Sequence, residues 1–415
     1  MKISFKKIDI TPDHKCMQAG YVQRTHSFDD VHDPLEAFVS ILSFETNRIV
    51  FVMTDLIGIT KEFKNKIIAK VQNEIESFDN DQLIIGASHN HSSAMLSNSR
   101  PQYMEGDKEY TGQLVQLIAN TIVDLWNGEY IECSAYYSSL IVDGIYSNRN
   151  DPDKLSDKVV HIIKFEHESK PVFTLLNMSC HNTVMGPLNY SITAELFGYT
   201  RRKLEPYFQC PVCILQGNAG DMGNRQYRTG QEFEDLDKAS THLANQIRRK
   251  HSDFEKINLS DFSHHHTVYT AKFTLDPTIY DAKIARYEKL LETETDLTAR
   301  KVMLSGIAGF KRKQAMGSGD RAIDMEAEIY QIGDLVIVNI PGELGSILGL
   351  RIKDACPKNR KCILWGYTND GSLGYTVDKE AYELECQETN VTVWPAGIPE
   401  LYTEAIINDL KNFVI

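Results

Sequence analysis

Short continuous apolar runs recur along the chain, and several of them stop at a side chain that can bind a metal or move a proton. Near-continuous apolar runs are typical of strands buried on both faces of a sheet. In open α/β sheets, ligands bind outside the carboxyl ends of the strands. The runs and the polar residues that follow them are 49–54 with Asp55, 83–86 with His89, 172–180 with His181, 213–220 with Asp221, and 335–342 with Glu343.

Between these runs lie longer stretches whose apolar residues recur every three or four positions, which predicts amphipathic helices. The predicted helices cover residues 61–78, 110–126, 195–207, 233–249, 281–291, 298–313, 346–354 and 401–413. We also expect strands near 3–8, 38–44, 131–145, 159–165, 253–274, 327–332 and 363–365, and a loop at 317–320. The sequence has no repeat and no linker. The alternation therefore predicts an α/β fold, with a single domain over residues 1–415, mixed β-sheets flanked by helices, and a metal site at strand C-terminal ends.

The segment after residues 83–86 contains two histidines at alternate positions, His89 and His91. In an extended chain, residues two apart point to the same side, so both imidazoles would face one place. That arrangement suits one metal ligand and one neighbouring imidazole that acts as an acid or base. The alternative is a pair of hydrogen-bonded surface histidines at the start of a loop, because His-x-His is a short and common pattern.

Two histidines and one glutamate from different strand ends form a familiar zinc-binding set, which leaves one coordination position open for water. His89, His181 and Glu343 provide these residue types at the ends of three separate apolar runs. The pattern therefore predicts a zinc site. The triplet His264-His265-His266 is a weaker candidate, since strand alternation sends its middle residue to the opposite face, and we expect a half-exposed strand there.

Composition narrows the class of partner. The net charge of the 415 residues is −13, which gives no electrostatic footprint for nucleic acid or for an anionic membrane. No apolar run is long enough to span a bilayer, and the first residues lack the apolar core of a signal peptide. The eight cysteines favour free, mostly buried thiols, with a disulfide or a redox role for Cys210 and Cys213 as alternatives. Together these features predict a cytoplasmic protein with a small-molecule substrate, and they are compatible with a homo-oligomer.

Five short motifs, in the same order along nearly the whole chain, resemble the catalytic domain of the neutral (non-lysosomal) ceramidases. That family has Thr-His-Thr-His-Ser, Asn-Arg-Ser-Pro, His-Pro-Thr-Ser-Met with Ile-Ser-Gly-Asp and Gly-Tyr, Pro-Gly-Glu, and Ser-Asn with Tyr-Val-Thr and Glu-Tyr. The matching segments here are Ser88-His-Asn-His-Ser92, Asn148-Arg149, Cys180-His-Asn-Thr-Val184 with Ile192-Thr-Ala-Glu195 and Gly198-Tyr199, Pro341-Gly342-Glu343, and Thr368-Asn369 with Gly374-Tyr375-Thr376 and Ala381-Tyr382. The resemblance implies the ceramidase fold and zinc-dependent hydrolysis.

Carried over position by position, the resemblance implies that His89, His181, Glu343 and Tyr375 bind zinc. The match to Tyr375 requires a one-residue insertion after Asn369. His91 and Arg149 match residues that hold the reacting carbonyl or the oxyanion, so the resemblance implies a catalytic role for both. For Tyr375 and Arg149 only the resemblance makes this prediction. A lone tyrosine is otherwise expected to pack in the core, and an arginine in a loop to be solvated.

This sequence departs from the family at its catalytic serine, where the Gly-Asp-Val-Ser-Pro-Asn loop reads Gly220-Asp-Met-Gly-Asn224 and Gly223 replaces the serine. Glycine supplies no hydroxyl as nucleophile, donor or acceptor. The chain also ends near residue 415, without the family's C-terminal β-sandwich domain. We expect Asn218, Asp221 and Gly223 to contact the substrate.

These observations predict a zinc-dependent hydrolase that cleaves an amide or ester bond of a polar acylated substrate, with zinc lowering the pKa of the attacking water. Two alternatives stay open. One is a genuine ceramidase-type lipid amidase that tolerates Gly223, and the other is a non-catalytic metal-binding protein. No amphipathic, membrane-seeking helix or basic tract indicates a lipid substrate.

Overall fold

The computed structural model describes residues 1–97 and 105–414. Its strands follow the chain as β1 Lys2–Asp9, β2 Asp30–Val31, β3 Glu36–Ser43, β4 Arg48–Thr54, β5 Leu83–Ala87, β6 Ile131–Glu132, β7 Ser134–Ile141, β8 Ser147–Asn148, β9 Val159–His167, β10 Lys170–Met178, β11 Ser191–Ile192, β12 Val212–Gln216, β13 Met222–Gly223, β14 Glu255–Ile257, β15 Phe262–Leu275, β16 Gly319–Ile332, β17 Leu335–Ile340, β18 Glu343–Leu344, β19 Lys361–Gly366 and β20 Tyr375–Thr376. The α-helices are α1 Lys61–Glu74, α2 Lys108–Asn127, α3 Glu195–Phe208, α4 Phe233–Lys250, α5 Ile279–Leu291, α6 Leu297–Ala315, α7 Ser346–Ala355, α8 Gln387–Val391 and α9 Ile398–Phe413.

Three larger sheets organise the fold. Their strand orders are β5-β4-β3-β1-β6, β12-β10-β9-β7-β14 and β15-β16-β17-β19. Each sheet contains one parallel pair, namely β4 with β5, β10 with β12, and β17 with β19. Their remaining neighbouring pairs are antiparallel. The predicted α/β class with mixed sheets is therefore confirmed.

The three sheets share one apolar core, to which Phe51 of the first sheet, Phe173 of the second and Trp365 of the third all contribute. Helices cover the other face of each sheet: α1 and α2 pack on the first, α3 and α4 on the second, and α7 and α9 on the third. The central strands are thus buried on both faces, which explains why their sequences are continuous apolar runs rather than alternating ones.

The parallel strands carry the chain toward one common region. His89 follows β5, His181 follows β10 and Glu343 follows β17, so each of the three sheets contributes one of these residues from the carboxyl end of a parallel strand. The predicted position of the site, at the C-terminal ends of strands, agrees with the fold.

Most differences from the predicted elements concern boundaries. The helix predicted at 61–78 ends at Glu74, whereas α2 begins two residues earlier than expected because Asp107 accepts a hydrogen bond from the Tyr110 backbone N–H at 2.8 Å. The loop predicted at 317–320 was wrong in part, because β16 already begins at Gly319. Helix α8 was missed, since it has only five residues and no periodic pattern.

The remaining candidates from the sequence also have clear outcomes. His264, His265 and His266 lie in β15 beside three different carboxylates, those of Asp81, Asp409 and Glu326. All eight cysteines fall in the described part of the chain, and none of them forms a disulfide. No helix in residues 1–97 or 105–414 has the length and apolar composition required to cross a membrane.

Candidate metal centre and the adjoining cleft

His89 lies two residues beyond the end of β5 with a positive φ of 57°, a conformation that is uncommon for non-glycine residues. Its Nδ1 lies 2.8 Å from the Ile57 carbonyl oxygen. The carbonyl can only accept, so Nδ1 carries the proton and Nε2 keeps its lone pair. A metal-binding histidine is normally oriented in this way.

The extended-chain reasoning for His89 and His91 was wrong, although the two imidazoles do meet. The strand ends at Ala87, and His91 lies in a turn. What brings the rings together is the left-handed conformation at His89, which leaves the two Nε2 atoms 3.0 Å apart.

His181 is held in the same way as His89. Its Nδ1 lies 2.7 Å from the Ala219 carbonyl oxygen, which again leaves Nε2 with a lone pair. Burial and the nearby Arg149 hold the pKa of His181 well below its ordinary value, so the ring is neutral. No hydrogen bond to Nε2 exists within residues 1–97 and 105–414, although the side chain is 2% exposed. A buried lone pair without a donor is costly unless something else binds it.

Glu343 completes a compact donor set. Its Oε2 lies 3.4 Å from His89 Nε2 and 3.6 Å from His181 Nε2, and its side chain is buried with theirs. One carboxylate oxygen and two imidazole lone pairs that converge in this way match the chemistry of a divalent cation such as Zn²⁺. Separately, the ligand atoms of His89, His91 and His181 all lie within 4.8 Å of one another, so His91 belongs to the same buried cluster.

Tyr375 is positioned beside Glu343 by strand pairing. The short strands β18 and β20 run parallel, and Glu343 is the register partner of Tyr375. Neighbouring strands lie about 4.8 Å apart with paired side chains on one face, so the two residues share a side of this small sheet. The Tyr375 hydroxyl accepts a hydrogen bond from Arg149 Nη2 at 3.2 Å. Its role as a ligand stays a prediction.

Arg149 is a buried cation with a buried counter-charge. Its Nε donates to Glu388 Oε1, and Glu388 Oε2 accepts from Asn150 Nδ2 at 3.1 Å. Burial would raise the pKa of Glu388, but Arg149 lowers it below its usual value and keeps the carboxylate ionised. The sequence analysis missed Glu388, because nothing near α8 marks it as more than a surface acid.

The three predicted substrate contacts occupy different environments. Asp221 accepts from Asn148 Nδ2 at 2.8 Å and from the Ser346 backbone N–H at 2.7 Å, while Asn218 bridges the Ser179 hydroxyl and the Ser346 carbonyl. Both side chains therefore tie buried segments together, and neither lines the cleft beside His181. Gly223 does line that cleft, and a Cβ placed there would meet only Arg149 side-chain atoms, at 3.7 Å.

The cleft beside His181 is bordered by the buried Tyr21, Arg149 and Gly223 and by the half-buried Arg225, Arg228 and Lys301. The sequence analysis missed these last three cations. The sequence could have indicated two of them, because Arg225 and Arg228 follow directly after the strand-end segment that contains Asp221 and Gly223.

A second cleft borders the same centre. His89, Glu343 and Tyr367 line its inner part, and Thr60, Asp370 and Ser372 lie farther out. The donor set thus borders two separate clefts, with His181 in one and with His89 and Glu343 in the other.

The fold defined here is that of the ceramidases. A solved structure described as a ceramidase complexed with C2 matches with a TM-score of 0.75 and 15% identity, over all of this chain and 75% of that chain. The neutral ceramidase from Pseudomonas aeruginosa matches with a TM-score of 0.73 and 15% identity, over the same shares of the two chains. No family model and no curated protein matches the sequence.

Proposed function

We propose that this protein is a zinc-dependent hydrolase that cleaves an amide or ester bond of a polar acylated substrate. One observation carries the proposal: Nε2 of His89, Nε2 of His181 and Oε2 of Glu343 converge in a buried centre, with both Nδ1 atoms on backbone carbonyls. The ceramidase-like fold supports the same class of reaction. His89, His181, Glu343 and Tyr375 are the residues that would hold the ion.

A bound zinc ion would polarise the scissile carbonyl and lower the pKa of an attacking water. The remaining steps belong to residues of this chain. His91, whose Nε2 lies 3.0 Å from that of His89, would accept a proton and return it to the leaving group. Arg149 lines the cleft, and a guanidinium has N–H donors beyond those that bind Glu388 and Tyr375. It would stabilise the developing oxyanion.

The fold similarity also favours a second candidate, a ceramidase-type lipid amidase. Gly223 favours the polar substrate instead, because the cleft lacks a side chain at the position where the ceramidases have their serine. The cations that line the same cleft are unsuited to an uncharged lipid chain. A non-catalytic metal-binding protein is the third candidate, but two open clefts beside the donor set are more typical of a catalytic centre than of a closed structural site.

Metal removal tests the proposal. Dialysis against a chelator should abolish hydrolysis of acyl substrates, and one equivalent of zinc should restore it. His181→Ala should lose metal and activity together, whereas His265→Ala, a histidine in β15 outside the centre, should lose neither. Full activity of the metal-free protein, or stoichiometric zinc in His181→Ala, would contradict the assignment.

A further inference from the structure

The cleft beside His181 carries an unbalanced set of positive charges. Arg149, Arg225, Arg228 and Lys301 all line it, and no carboxylate does so among the described residues. The whole chain has a net charge of −13, so this local excess runs against the overall balance. The overall negative charge of the protein therefore does not account for this local cluster of cations.

Among the described residues, only one of the four cations forms an ion pair with a carboxylate. Arg149 is paired with Glu388. Within residues 1–97 and 105–414, no acidic side chain forms an ion pair with Arg225, Arg228 or Lys301. Arg228 donates to the Val184 carbonyl at 3.4 Å, and Lys301 Nζ lies 4.9 Å from the centroid of the Tyr21 ring. These neutral contacts orient the cations but do not neutralise them.

The electrostatic effect of this clustering is visible at Lys301. Burial, together with Arg149, Arg225 and Arg228 and opposed by Glu388, holds the pKa of its ammonium group well below the ordinary value. Like charges held together in a partly buried site destabilise the unliganded protein, and an anion bound among them offsets that cost. The α6 N-terminus contributes little, because Asp296 already caps it by accepting from the Ala299 N–H at 2.7 Å.

The second cleft, beside His89 and Glu343, provides the contrast. Among the residues that the structure describes, its lining contains His89, Glu343 and Asp370 but no lysine or arginine. A substrate whose reacting bond lies at the donor set would therefore place an anionic group in the cleft beside His181 and an uncharged group in the cleft beside His89.

We propose that the substrate is an acyl compound bearing a carboxylate, phosphate or sulfate, and that Arg225, Arg228 and Lys301 bind this anionic group. The proposal rests on the hydrolase function argued above for its chemistry, but the anion site itself can be measured without turnover.

The binding experiment uses sulfate as the probe, titrated calorimetrically into the zinc-loaded full-length protein at constant ionic strength. Lys301→Gln and Arg225→Gln should each weaken sulfate binding about tenfold, the scale of one partly buried ion pair. Lys311→Gln, the same change at an exposed position of α6, should leave it unaltered. Equal sulfate affinity in all four proteins would overturn the anion site.

Thermal unfolding separates a ligand site from a structural one. If the cations repel one another and await an anion, Lys301→Gln should raise the melting temperature without sulfate and reduce the stabilisation that sulfate confers. A structural role for Lys301 predicts the reverse, a lower melting temperature in both conditions, and that result would count against the proposal.

Turnover then tests the substrate class. N-acyl amino acids are compared with their carboxamides, and succinyl esters with their monomethyl counterparts, so that the charge is placed on either half. In one of these two series, the anionic compound should have a kcat/KM at least about tenfold higher than that of its neutral counterpart. Lys301→Gln should remove that preference. Hydrolysis of the neutral members alone would overturn the anionic substrate and keep the hydrolase. Sulfate binding with no hydrolysis of any member would overturn the hydrolase and keep the anion site.

Discussion

At the scale of single residues, the candidate ligands are distinguished by what holds their rings. His89 and His181 each place Nδ1 on a backbone carbonyl, at 2.8 and 2.7 Å, the support that metal-binding histidines usually have. His91 is held by a backbone hydrogen bond and by ring packing. Its carbonyl accepts a hydrogen bond from Arg24 Nη1 at 2.6 Å, and its ring contacts Tyr21 edge to face. These environments favour two metal ligands and one acid or base.

The first prediction separates these roles. His91→Ala should keep stoichiometric zinc but slow turnover about 100-fold or more, the scale of a lost acid–base group. His89→Ala should lose zinc. Elemental analysis and kcat measured on the same preparations check both. Loss of zinc in His91→Ala would instead identify the three histidines as the ligand set, an arrangement that their mutual separation within 4.8 Å also permits.

A second prediction concerns Gly223. A Cβ there meets Arg149 Cβ and Cδ at 3.7 Å, which is an ordinary contact, so Gly223→Ser should fold with a melting temperature within about 2 °C of the parent. The new hydroxyl occupies space in the cleft and should lower kcat/KM on a polar acyl substrate. Gly112→Ser, at an open position on α2, is the matched control. A large gain in hydrolysis of short-chain ceramide would instead indicate a weakened ceramidase.

At the scale of elements, short segments far apart in sequence fix the buried side chain of Arg149. Helix α8 supplies Glu388, strand β20 supplies Tyr375, and both side chains bind the guanidinium of Arg149. Strand β8 ends just before Arg149 and pairs with β13, which contains Gly223. The oxyanion candidate therefore depends on elements of two to five residues that no periodicity reveals.

The third prediction tests α8. Glu388→Gln leaves a buried guanidinium without its counter-charge, so the free energy of unfolding should fall by about 3–5 kcal/mol. Glu385→Gln removes a carboxylate three residues away that pairs with Arg286 on the surface, and it should cost at most about 1 kcal/mol. Urea unfolding measures both changes. Equal small effects would mean that Glu388 does not hold Arg149.

At the scale of the whole molecule, three mixed sheets surround one core, and each delivers one candidate ligand from a parallel strand. Buried polar groups also connect the sheets to the helices. His161 in the second sheet lies 2.8 Å from the Tyr137 hydroxyl and 3.1 Å from Lys353 Nζ in α7, and Lys353 pairs with Asp157 at 2.6 Å.

The fourth prediction is a pH dependence of global stability. Burial and the nearby Lys353, opposed by Asp157, lower the pKa of His161 from 6.5 to about 3. Between these values the unfolded chain binds a proton that the folded protein does not. The stability contribution is therefore complete above pH 6.5 and is lost as the pH falls toward 3, by roughly 1 kcal/mol per pH unit.

Replacing the imidazole should remove that contribution. The stability of His161→Gln, measured by urea unfolding from pH 7 to pH 4, should fall less steeply than that of the parent. His167→Gln, in the exposed end of the same strand β9, should keep the parent slope. Parallel curves for His161→Gln and the parent would show that His161 is not the group responsible.

The sequence by itself determined which segments form buried strands and helices, and which polar side chains stand at strand ends. This information is local: continuous apolar runs and helical spacing depend only on neighbouring residues. His89, His181 and Glu343 could be selected for that reason, and the mixed α/β class followed from the same pattern. The resemblance in short motifs added Tyr375 and Arg149.

Only the tertiary structure decided how these residues combine. The left-handed turn at His89, the Arg149–Glu388 pair and the cluster of Arg225, Arg228 and Lys301 depend on contacts between residues far apart in the chain. Asp221 and Asn218 also follow strand ends, yet both form hydrogen bonds with buried backbone groups of Ser346, which no local sequence pattern predicts. A strand end predicts where a side chain emerges, but packing decides what it meets.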